Sequence, residues 1–239
     1  GNIDEGMEYQ RLALAIHREV GNRAGEGRSQ SNQALLDFEQ GRLTEAKDNF
    51  IAALAIHREE GDSRGQAIIL GNLGNLYKTM SRESDAMKCY REALSLHRLV
   101  GNRRHEAMTL GNMGNLFVNQ GERVSAEIHF QQSITIGDEA FPLVAGVFRG
   151  SLALLFAEKG QFDEARTLMK KAEPDLRGVN ALELAKLLCK KTRLERLAGD
   201  LDAAAFALDE ADAIVHKIGA GPGSELGTAL AEARLVLEN

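Results

Sequence analysis

The chain copies itself every 39 or 40 residues, and that period constrains its fold more than any other feature. Ala46, Ala86, Ala126, Ala165 and Ala204 follow one another at intervals of 40, 40, 39 and 39 residues. Seven positions after each stands another small residue: Ala53, Ala93, Ser133, Ala172 and Ala211. Four positions after each stands a large apolar one: Phe50, Tyr90, Phe130, Met169 and Leu208. Positions i, i+4 and i+7 share one face of a helix. Each unit therefore predicts a helix carrying a bulky knob between two small residues, a shallow socket that lets a second helix come close. The second helix precedes the first, in the apolar-periodic segments 64–80, 104–120, 143–159 and 181–198. Breaks fall at Gly41, Ser81-Arg82, Gly121, Gly160 and Gly199-Asp200, where a helix C-terminus suits a residue that tolerates positive φ. Of the prolines, Pro142 is expected to open a helix, Pro222 to precede one, and Pro174 to shorten the helix it ends. No segment alternates as a strand would.

Composition narrows the class further. The 239 residues are 44% apolar, enough for a packed core, and carry a formal net charge of −6. That mild acidity speaks against generic binding to nucleic acid or anionic lipid. The longest apolar stretches, such as LALLFA at 152–157, fall far short of the ~18 residues of a membrane span. Two cysteines exclude a disulfide scaffold and suggest a reducing, cytoplasmic compartment. The chain has no initiator Met and opens on no signal peptide, and it reads as a piece of something longer.

Phrases recur as well as spacings. LGNLGNLY at 70–77 returns as LGNMGNLF at 110–117, and LAIHREEGD at 54–62 as LSLHRLVGN at 94–102. Small residues at Gly74 and Gly114, aromatics at Tyr77 and Phe117, and the following Ala-x3-Tyr/Phe-x2-Ala resemble tetratricopeptide repeats. The period is longer than that family's usual one. In this it is similar to the repeats of spindle-orientation adaptors and of bacterial multidomain regulators. The resemblance covers nearly the whole chain and implies an all-α fold, a tetratricopeptide-repeat solenoid built as a right-handed superhelix of antiparallel helix pairs. Within a single solenoid spanning 1–239, the expected helix-pair repeats are 24–61, 64–101, 104–140, 142–175 and 180–218, followed by a C-terminal capping helix at 223–238. Gly1 aligns with Gly41, so residues 3–20 match only the second helix of a repeat, left by a cut inside the array or serving as an N-terminal cap. Gly6 and Gln10, where Ala and an aromatic are expected, favour the cap. Two first helices depart from the pattern. Gln33 and Asp37 stand where Leu73 and Tyr77 stand one repeat on, and Lys191 and Glu195 replace an apolar and an aromatic residue.

The resemblance places first helices on a concave surface. Its inward residues would be Asn32, Asn72 and Asn112, then Asn75 and Asn115, with Asn119 at a helix end and Gly71 and Gly111 alongside. Asn is a mediocre helix former, so its recurrence at one register needs a reason. One is a ladder of amides, donor and acceptor together, that pairs with the backbone of an extended peptide. The other is bridging between adjacent helices, and both can hold. Lys186, Lys190 and Arg193, at i, i+4 and i+7, point into the same groove by the same carry-over, and would receive acidic side chains or a terminal carboxylate. Lys186 and Lys190 resemble two basic positions of the family's carboxylate clamp, but Ser151 and Gly111 stand where that clamp has Asn and Lys. A solvated basic face is the rival reading.

Other constellations carry less. His17, His57 and His97 lie on successive stacked helices, too far apart for one metal ion. Cys89 and Cys189 read as core thiols. GNLGN sits mid-helix, follows no strand and lacks a phosphate-loop lysine. The expected function is a non-catalytic protein–protein interaction scaffold that needs no cofactor or metal and binds a peptide or partner segment, with neither nucleic acid nor membrane as partner. Alternatives are a sensory module of a larger bacterial kinase, cyclase or transcription regulator, and self-association through the end helices.

Overall fold

In the computed structural model the described residues are 3–221 and 224–238, with the side chains of 3–5, 7 and 238 excepted. Gly1, aligned above with Gly41, and Pro222, expected to precede the last helix, lie outside them. Among the described residues there are twelve helices and no strand. They are α1 (Ile3–Glu19), α2 (Arg23–Glu39), α3 (Leu43–Glu59), α4 (Ser63–Thr79), α5 (Glu83–Leu99), α6 (Arg103–Asn119), α7 (Arg123–Ala140), α8 (Pro142–Glu158), α9 (Phe162–Leu176), α10 (Ala181–Leu197), α11 (Leu201–Ile218) and α12 (Glu225–Glu238). The chain forms two compact units, Gly1–Leu116 and Phe117–Asn239.

In the first unit α2 packs on α3 and α4 on α5, while α1 lies against α2 and α3 against α4. The sockets explain the closeness. Ala46, Ala53, Ala86 and Ala93 are wholly buried, as are the knobs Phe50 and Tyr90 between them. Gly74 answers Tyr90 from the facing helix, since a Cβ there would stand 2.4 Å from the tyrosine Cε1. Leu54, Ile69, Leu70, Leu73 and Leu76 complete this core.

The second unit repeats the arrangement with α7 against α8, α8 against α9 and α10 against α11. Ala126, Ser133, Ala165, Ala172, Ala204 and Ala211 are again fully buried, around Phe130 and Met169. The last knob, Leu208, is only half-buried, and Ala207 beside it is fully buried. Helix α12 closes the unit by setting Leu226, Leu230 and Ala233 into the same core as Leu184 and Leu188.

The turns follow one plan. The second helix of each pair is reached through a residue with positive φ: Gly41 (74°), Gly121 (75°) and Gly160 (79°). In the α4–α5 turn that place is taken by Ser81 at φ 58°, the one non-glycine residue described with positive φ. Pro142 opens α8 as expected. Pro174 lies two residues before the end of α9, which at 15 residues is shorter than the 17-residue α8 and α10, as expected. A proline removes one helical hydrogen bond, but Leu176 is fully buried and its packing holds the final turn.

The polar residues of the two polar first helices are met by partners nearby, on α2 itself, in the turn after it and on α3 for α2, and on the preceding α9 for α10. Asp37 is 3% exposed. It accepts from Arg42, from Gln33 Nε2 at 3.3 Å and from Asn49 Nδ2 at 2.8 Å. Glu195, also buried, receives Arg166 Nε at 3.0 Å and Nη2 at 2.6 Å. Lys191 reaches Glu173 at 3.4 Å. Asp37, Glu195 and Lys191 are therefore accommodated at these register positions because each meets a complementary group, while Gln33 keeps a buried Oε1 without a partner.

Candidate functional site

The amides of the first unit sit on α2, α4 and α6. Asn72, Asn75, Asn112 and Asn115 are half-buried and Asn32 is exposed. One glycine beside them faces open space: a Cβ on Gly71 would meet nothing within 4 Å. The amides divide by what they already hold. Asn75 Oδ1 accepts twice, from the Tyr90 hydroxyl at 2.8 Å and from Asn112 Nδ2 at 3.0 Å. Asn75 therefore bridges three helices, α4, α5 and α6. Asn72 and Asn115 make no side-chain hydrogen bond among the described residues. The bridging expectation is thus met at Asn75, while Asn72 and Asn115 keep amides with no side-chain partner among the described residues. The residue whose hydroxyl organises them, Tyr90, was read from sequence only as a large apolar knob. The signal was there, since Phe50 and Phe130 occupy the same register without a hydroxyl.

The remaining predicted residues belong to the second unit. Asn119, at the end of α6, is exposed. The three basic side chains of α10 are half-buried, and each has a local partner. Lys186 Nζ lies 3.1 Å from Glu183 and 2.6 Å from Glu225 of α12. Burial works to lower the Lys186 pKa, but the two carboxylates together outweigh it and the net shift is upward. Lys190 Nζ donates to Ser151 Oγ on α8 at 2.8 Å. That close approach depends on Gly150, where a Cβ would meet Leu187 Cδ1 at 2.5 Å. Arg193 stands 4.0 Å from Glu158, the loosest of the three pairings. A ligand carboxylate reaching Lys186 would therefore compete with Glu183 and Glu225, a cost that the spacing of the basic residues did not reveal.

The histidines are separately engaged. His57 Nδ1 pairs with Asp62 Oδ2 at 2.9 Å. His97 lies against His105, the rings tilted with centroids 5.4 Å apart. His17 lies against Gly25, where a Cβ would be 2.5 Å from its Nδ1. Among the described residues no three metal-capable side chains converge. Burial raises the thiol pKa of both Cys89 and Cys189 to about 11, and both cysteines are free. Such thiols are poor nucleophiles at neutral pH. No helix among the described residues is long and apolar enough to cross a membrane. At the start of the chain, α1 exposes Tyr9 (69%), Leu12 (54%) and Ile16 (56%) along one side, and Val20 (67%) follows in the turn after it.

Comparison with known proteins falls in line with this architecture. Residues 26–98 match the tetratricopeptide repeat family. No curated protein matches by sequence. Among solved structures, BtubC from P. vanneervenii is similar over 92% of this chain and 94% of its own, at 16% identity and a TM-score of 0.73. A Rap protein complexed with Competence and Sporulation Factor is similar over 99% of this chain and 63% of its own, at 16% identity and TM-score 0.76. NprR in complex with its cognate peptide NprX is similar over 99% and 71%, at 12% identity and TM-score 0.70. These likenesses are of fold.

Proposed function

Taking the chain as a tetratricopeptide-repeat solenoid, we propose that it is a non-catalytic, cytoplasmic scaffold that binds an extended peptide or partner segment along the Asn-bearing first helices. The observation that carries this reading is the pair Asn72 and Asn115, half-buried amides with no hydrogen-bond partner among the described residues, set beside a glycine with open space in front of it. An amide offers donor and acceptor at once, and a bare glycine lets a peptide backbone come close. Asn32 extends the amide surface of the first unit. Lys186, Lys190 and Arg193 favour a partner with acidic residues, with Arg193 the readiest of the three. The peptide complex of NprR, similar in fold, supports peptides as the partner class.

The test is binding by the intact chain to peptides enriched from a random display library. Asn72→Ala with Asn115→Ala should weaken the selected peptide at least tenfold while helical circular dichroism stays unchanged. Unchanged affinity would remove the reading. Asn75 and Asn112 are best changed separately, because Asn75→Ala also strands the buried Tyr90 hydroxyl.

Two further readings have their own supports. The likeness to Rap and NprR, of which this chain spans 63% and 71%, favours a sensory module of a larger signalling protein. An effector domain encoded in the same gene would favour it. The apolar side of α1 favours self-association, which light scattering over a concentration range would detect.

A further inference from the structure

Tyr90 is fully buried, yet it carries a polar hydroxyl. Its partner is Asn75 Oδ1 at 2.8 Å. Burial holds the phenol well above its ordinary pKa, so the hydroxyl keeps its proton and must place it. Turned the other way, the Asn75 amide would present N–H groups to the phenol oxygen. The hydroxyl proton would then be buried without an acceptor, the arrangement folded proteins avoid. The hydroxyl therefore fixes which end of the Asn75 amide faces it. The consequence passes on. Asn75 Oδ1 also accepts from Asn112 Nδ2 at 3.0 Å, so the Asn112 amide is oriented as well. What remains of the pair is the nitrogen of Asn75, a donor, and the oxygen of Asn112, an acceptor.

We infer that Tyr90 is a positioning residue that sets the hydrogen-bond polarity of the amide face, so that Asn75 and Asn112 receive the backbone C=O and N–H of one residue of an extended peptide in a single orientation. The peptide C=O goes to Asn75 Nδ2 and the peptide N–H to Asn112 Oδ1. A carboxylate, which only accepts, does not fit the pair. The inference rests on the peptide-binding reading above. It adds a direction that neutral, freely flipping amides would lack. Phe50 and Phe130 fill the same register without a hydroxyl, so the device belongs to the middle of the three aromatic knobs.

The experiment uses the intact chain and the strongest peptide from the random library. Each backbone N–H of that peptide is replaced in turn by an ester oxygen, and affinities are measured by fluorescence anisotropy. With the unaltered protein, one ester position should weaken binding about fivefold or more, the size of one lost hydrogen bond. In Tyr90→Phe, which keeps the ring, parent affinity should fall a fewfold and that ester penalty should shrink below about twofold. A role in stability alone would leave the position profile intact. Should Tyr90→Phe fail to fold, Asn112→Ala serves instead. It removes the acceptor for the peptide N–H, so the same ester position should lose its effect. An unchanged ester profile in the folded variant overturns the role of Tyr90 while leaving peptide binding in place. A library that enriches no peptide, or a peptide indifferent to Asn72→Ala with Asn115→Ala, overturns the peptide reading and this inference with it.

Discussion

The joint between α3 and α4 and the joint between α5 and α6 are written in nearly the same letters and behave as opposites. In the first, buried His57 meets Asp62, whose other oxygen Oδ1 caps the Gly65 N–H at 2.9 Å. That amide and the imidazole hold the Asp62 carboxyl below its usual pKa. Gly65 makes room, since a Cβ there would lie 2.3 Å from His57 Nδ1. In the second joint, Asn102 stands in place of the aspartate and His105 in place of the glycine. The Asn102 oxygen is 3.0 Å from His105 Nδ1, and His97, 1% exposed, is left with an unpartnered Nδ1. Burial, then His105, with a smaller push from Arg64, lowers the His97 pKa to about 4, and Glu106 opposes them. Glu106 is itself clasped by Arg98 at 3.0 Å and Arg103 at 2.7 Å. An acid exchanged for an amide, and a glycine for an imidazole, turn a supported histidine into one that must stay neutral.

The sharpest way to probe the contrast is acid. The folded His97 pKa lies below the unfolded value near 6.5. Between those values the unfolded chain binds the extra proton, so stability is full above pH 6.5, falls as pH drops toward 4, and levels off below. The loss should be about 3 kcal/mol, read as a steeper decline in denaturant midpoint for the native chain than for His97→Gln. Equal slopes in the two proteins would place the acid sensitivity elsewhere. Next in size, Gly65→Ala should cost about 1–3 kcal/mol by driving a methyl into His57. A melting temperature that does not move would mean the ring shifts aside freely. Asn102→Asp should then make the second joint behave more like the first, returning about 1 kcal/mol of the acid loss in the same titration. Smallest, in the α4–α5 turn between the joints, Ser81→Gly should stabilise by up to about 1 kcal/mol, because only the serine pays for a left-handed backbone. A neutral or destabilising result would show that the Ser81 side chain earns its place.

Much of the architecture was legible because its causes are local and repeated. Ala46, Ala86 and Ala126 are buried for the reason their spacing suggested, a helix packed close against a knob. Gly41 and Gly121 turn the chain where a helix had to stop. The candidate site was legible only by residue type. Nothing in the spacing of Asn75 and Tyr90 says that a hydroxyl crosses between helices to claim the amide oxygen, because that contact depends on the depth to which the ring sinks over Gly74. Lys186 shows the same limit. Its partner Glu225 lies 39 positions on, on a closing helix whose direction no repeat dictates. Pro174 goes with a shortened α9, as expected, although the buried Leu176 carries the helix two residues past it.

The glycine that admits the Tyr90 ring has a cost for α4 itself. This seventeen-residue helix contains Gly65, Gly71 and Gly74, and each such residue disfavours helix by roughly 0.8–1 kcal/mol relative to alanine. On its own α4 would be a poor helix. It acquires its form by docking, so its amides should exchange with solvent in step with those of α5 rather than ahead of them, and the strip that carries Asn72 and Asn75 would come into being as the tyrosine seats.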